Sequence, residues 1–89
     1  MADQFPKDFI NALNAILKHV NHNPYALTEA MKVSKEEGRM DAYYTFDAAL
    51  AYLTYTKIVN EPGMEDPIQK LLAKMHSDLE TLSSGTNDT

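Results

Sequence analysis

Three clusters of helix breakers cut the chain into four segments, and within each segment the apolar residues recur at helical spacing. The clusters span Asn21–Pro24, Gly38–Asp41 and Glu61–Pro67. Proline pushes the residue before it out of helical geometry, and glycine takes left-handed backbone without a steric penalty. Glycine is otherwise scarce and no period-two alternation is evident, which argues against a β fold. The chain reads as all-α.

The first segment, from about Gln4 to Asn21, places Phe5, Phe9, Leu13, Ile16 and Val20 on one stripe, with Ala12 and Leu17 on its flanks. Lys7, Asp8, Asn11, Asn14 and Lys18 fall outside it, which is the pattern of an amphipathic helix with one buried face. Asn23 then offers an N-cap and Pro24 a first helical position for a second helix. That helix has a shallow inner face of Leu27, Ala30, Met31 and Ser34 and closes at Gly38. Asp41 is the expected cap of a third helix reaching about Asn60. Asp66-Pro67 repeats the cap-plus-proline start before a fourth helix striped by Ile68, Leu71, Leu72, Met75, Leu79 and Leu82.

At 89 residues there is room for one core. The expected organisation is a single helical domain over 1–83 and a disordered tail over 84–89, since Ser83-Ser84-Gly85-Thr86-Asn87-Asp88-Thr89 has nothing to bury. Short links favour antiparallel neighbours, giving a compact four-helix domain, as a regular bundle or in orthogonal packing. Cysteine is absent, and no basic segment followed by an apolar run marks a secretory signal. No apolar stretch approaches the roughly 20 residues that span a bilayer. A soluble cytoplasmic protein away from membranes is expected.

The formal net charge is −5. Most lysines have an acidic neighbour within a turn and there is a single arginine, which argues against a phosphate backbone as partner. No serine stands in a nucleophile elbow, no glycine-rich phosphate loop exists, and the acidic residues are strewn along polar faces. His19 and His22 are spaced to share a metal, but no cysteine or nearby carboxylate completes the set. His76 and Glu80, four apart, read as a surface pair. We therefore expect no enzyme, no cofactor and no metal.

The third helix is the distinctive one, because it is apolar on most sides and so should be central. Phe46, Leu50 and Leu53 form one sector, taken as the core side. Tyr44, Ala48, Tyr52 and Tyr55 form another, with small residues between tyrosines. A core of this size has difficulty covering both, and bare apolar patches mark interfaces. Tyr44, Ala48, Tyr52 and Tyr55 are thus the expected partner-binding residues, in a homodimer or against a larger protein. The function expected is a non-catalytic interaction module: a small helical regulator, inhibitor or assembly factor. The alternative is a small dimeric DNA-binding regulator using the second and third helices around the Gly38 turn, and after it a histidine phosphocarrier using His19 or His76.

Overall fold

The helix ends follow from a few hydrogen bonds in the breaker clusters. The computed structural model describes residues 5–87, with side chains through Ser84. Four helices make up the described chain: α1 (Lys7–His19), α2 (Pro24–Glu36), α3 (Met40–Ile58) and α4 (Glu65–Asn87). No strand occurs among the described residues.

At the end of α1 the chain turns through two successive left-handed residues, Asn21 (φ 55) and His22 (φ 56). The Asn21 N–H donates to the Lys18 carbonyl at 3.1 Å and the His22 N–H to the Leu17 carbonyl at 2.8 Å. Carbonyls that the helix leaves over are thereby satisfied. Asn23 then caps α2 as expected, its Oδ1 accepting from the Tyr25 N–H at 2.9 Å with Pro24 in the first turn.

The α2–α3 junction has the same device built on glycine. Gly38 (φ 74) donates to the Lys35 carbonyl at 3.1 Å, and Arg39 donates to the Ser34 carbonyl at 2.8 Å. Glu37, Gly38 and Arg39 make this turn, and α3 begins at Met40, one residue before the expected cap. Asp41 lies inside the first turn, where its carboxylate accepts from the Ala42 N–H at 2.9 Å. Asp66 is likewise not the cap of α4. The helix opens at Glu65, and the Met64 carbonyl accepts the Ile68 N–H at 2.9 Å. Pro67 then falls in the first turn, where no intrahelical partner awaits its missing N–H.

α4 continues to Asn87 and so takes in Ser84–Asn87, part of the segment 84–89 expected to be a disordered tail. A helix already nucleated gains one hydrogen bond per added residue without needing a tertiary contact. Asp88 and Thr89 lie outside the described residues.

α3 is the hub. α1, α2 and α4 each pack on it, and the other helix pairs meet only marginally. The core gathers Leu13 and Leu17 from α1, Leu27 from α2, Ile68, Leu72 and Met75 from α4, and Phe5 just ahead of α1. α3 contributes Ala48, Ala49, Ala51, Leu53 and Tyr55. Leu50 and Phe46, expected on its core side, are only half-buried. Three helices closing on one leave space at the lines of closest approach for alanines, and the larger Phe46 and Leu50 occupy the seam beside them. Among the described residues no helix is long and apolar enough to cross a membrane.

Candidate functional site

The tyrosine sector of α3 does not form one open face. Ala48 has no exposed surface and Tyr55 is buried, while Tyr44 and Tyr52 are half-buried. Residues 44, 48 and 52 make a single i, i+4 ridge, so enclosure of Ala48 divides the row at its middle. The Tyr52 ring lies against Tyr55 with centroids 6.3 Å apart and planes 14° from parallel. Tyr44 meets Tyr43 edge-on at 5.4 Å. Of the expected partner-binding residues Tyr44, Ala48, Tyr52 and Tyr55, Ala48 and Tyr55 are thus interior, while Tyr44 and Tyr52 keep part of their surface in solvent. Burial also pushes the Tyr55 hydroxyl above its ordinary pKa, with the neighbouring Tyr52 adding to the shift.

The open apolar surface is instead on α2 and at the start of α3. Tyr25 is 82% exposed, Val33 43% and Met40 40%. Tyr25, Glu29 and Val33 stand four apart, so they share one outward ridge of α2. Leu27 and Ser34, on the opposite side of that helix, are buried against α3. Below Val33, the Lys35 ammonium stands 6.0 Å from the centre of the Tyr43 ring and ties the end of α2 to α3. The sequence contains the signal for this ridge, since Tyr25 and Val33 are the large apolar residues of the second helix that fall off its inner stripe.

A second cluster lies inside the molecule. Asp47 of α3 and Asp78 of α4 are both buried, at 7% and 5% exposure. Lys74, one turn before Asp78, reaches Asp47 Oδ2 at 3.1 Å. The Asp78 carboxyl hydrogen-bonds that of Asp47, while its Oδ2 is buried with no hydrogen-bond partner. Burial foremost, then the hydrogen bond to Asp47 and the charge on Asp47, raise the Asp78 pKa from 3.8 to about 7, against the opposing effect of Lys74. The Lys74 ammonium is held above its ordinary value chiefly by its bond to Asp47. Asp47 is legible in the sequence as one of two interior charges of the third helix. Asp78 is legible only as a polar residue in phase with an apolar stripe, three after Met75 and four before Leu82.

Neither cluster is a hydrolytic centre with a nucleophile beside a base. Among the described residues no group of three or more histidines, cysteines or carboxylates could hold a metal ion. His76 stacks on the Phe5 ring, with centroids 4.2 Å apart. Comparison with models of known families, with curated proteins and with solved structures gives no match for this chain.

Proposed function

We propose that the chain is a non-catalytic protein-interaction module of the cytoplasm, a small regulator, inhibitor or assembly factor that docks on a larger protein through the outer edge of α2. One observation carries this reading: Tyr25, Val33 and Met40 are large apolar side chains left open to water, two of them on one helix ridge. A tyrosine brings a large rigid contact area at little entropic cost, and aromatic anchors are enriched where protein interfaces concentrate their energy. The flanking Glu29, Lys32 and Glu36 suit the polar rim around such an anchor. A second copy of the chain remains the other occupant of interest, as Tyr44 and Tyr52 keep part of their surface accessible.

The DNA-binding alternative needs α3 as recognition helix, entering a groove with its outer side. α3 packs against all three other helices, and its buried positions point in nearly every direction. The strip left on it carries Tyr43, Phe46, Leu50, Thr54 and Lys57, with one cation among them. That composition favours protein over phosphate.

The test compares the wild-type chain with the double variant Tyr25→Glu, Val33→Glu as immobilised baits, after far-ultraviolet circular dichroism has shown equal helicity. A photo-crosslinker replacing Tyr25 should trap a partner that the double variant no longer retains. The same crosslinker replacing Lys70, exposed on α4, should not trap it. Equal retention by wild type and variant would reject the α2 edge. Duplex binding that weakens steeply with salt would favour the DNA-binding reading instead. Sedimentation of both proteins separates a second copy from a foreign partner.

A further inference from the structure

Asp47 and Asp78 come from different helices and meet where water hardly reaches. Both carboxyls are more than nine-tenths buried, yet among the described residues only one cation, Lys74, faces the pair. Two ionised carboxylates in contact away from water repel each other and lose solvation. A single shared proton removes both penalties, turning the contact into a hydrogen bond between α3 and α4.

We propose that Asp47 and Asp78 form a proton-held latch between α3 and α4, closed when the pair holds its proton and loosened when it ionises. Lys74 bonds the Asp47 oxygen and leaves Asp78 Oδ2 without a partner, so the lysine satisfies one carboxylate and not two. Among the described residues the charges acting on Asp78 are Asp47 of α3 and Lys74 of α4. Tyr43 of α3 acts on Lys74, and from α2 Lys35 faces the Tyr43 ring. α1 contributes no charge that acts on Asp78. His76 is two residues away on α4 but engages Phe5.

The direction of the response follows from linkage. The folded-state pKa of Asp78 is about 7 and its ordinary value 3.8. Between those values the folded chain holds a proton that the unfolded chain has lost, so stability declines as pH rises through this window. The decline levels off above the folded value. The full effect is present below the unfolded pKa and is gone at mildly alkaline pH. One proton changes the folding constant by at most about tenfold per pH unit. The latch therefore weakens by roughly 10- to 100-fold between pH 5 and pH 8. Neutral pH lies at its working point, so a shift of half a unit either way alters how firmly α4 is held.

The test uses the full chain in urea unfolding at pH 5, 6, 7 and 8, beside Asp78→Asn. The amide cannot ionise and can still donate to Asp47. The wild type should lose folding constant over this range, while Asp78→Asn should lose much less and be the more stable protein at pH 8. The three histidines are common to both proteins, so their contribution cancels in the difference. A second measurement does not depend on the variant folding: the Asp78 side-chain carboxyl carbon, followed by NMR in the wild type, should titrate near neutrality. Parallel pH curves for the two proteins, or an Asp78 carboxyl that titrates near 4, would overturn the latch.

Discussion

Phe5 stacks on His76, ring centroids 4.2 Å apart and planes 24° from parallel, and so fastens the stub ahead of α1 to the middle of α4. Phe5 is buried although it precedes the first helical residue. The contact ties the lead-in of α1 to α4, a helix that α1 itself scarcely touches. Phe5→Ala should destabilise the chain by about 3 kcal/mol, the lower end for a buried phenylalanine. His76→Ala, which removes the ring on the solvent side, should cost about 0.5–1.5 kcal/mol, the excess of an aromatic pair over area burial. Equal losses for the two, measured by urea unfolding, would mean that Phe5 is held by His76 alone and not by the core.

Leu50 and Leu53 should separate. Leu53 is buried at 3% exposure and Leu50 is half-buried. Leu53→Ala should cost about 2–5 kcal/mol. Leu50→Ala should cost about 1 kcal/mol, the centre of the range for point substitutions. Chemical denaturation giving the reverse order would place the axis of α3 wrongly relative to its neighbours.

Lys74→Met should act on both stability and titration. It leaves the buried Asp47 without its 3.1 Å partner. With Lys74 half in solvent the loss should be about 1 kcal/mol at neutral pH. Lys74 also lowers the Asp78 pKa, so its removal raises that pKa above about 7. A folded-state value moved further above the unfolded one extends the declining limb of stability to higher pH. An NMR titration of the Asp78 carboxyl that stays in place or moves down in Lys74→Met would contradict this assignment of forces.

Gly38→Ala should destabilise by about 1–2 kcal/mol, the penalty of left-handed backbone for a residue with a Cβ. Nothing lies within 4 Å of the added Cβ, so the effect is conformational and not a clash. The thermal midpoint should fall without change in helical content. An unchanged midpoint would mean that the α2–α3 turn relaxes to another geometry.

The four helices were legible in the sequence because their breaks are local chemistry. Asn23-Pro24 and Gly38 act through their own backbone and need no knowledge of the neighbours. The exposed and buried sides of α3 were not legible in this way. With apolar residues around most of its circumference, periodicity does not single out an inner face, and side-chain size misleads: Leu50 and Phe46 read as core and Ala48 as interface. Packing reversed this, since three approaching helices leave least room where they come closest. The fourth helix shows the complementary case. Its stripe runs from Ile68 to Leu82, and Asp78 inside it carries no signal of its own, because a lone carboxylate in phase with leucines has meaning only when Asp47 is known to face it.

The central position of α3 has a kinetic consequence. α2 and α3 are neighbours in sequence, as are α3 and α4, so most of the native contacts join segments that are already close along the chain. Closing such short loops is fast, and helical domains with local contacts reach the native state in microseconds to milliseconds. α1 is the exception, because it skips over α2 to reach α3 and has the smaller share of the hub. It should dock late on refolding and open first under native conditions. Its amides should then exchange with solvent sooner than those at the centre of α3, with Phe5 detaching from His76 as the first step of unfolding.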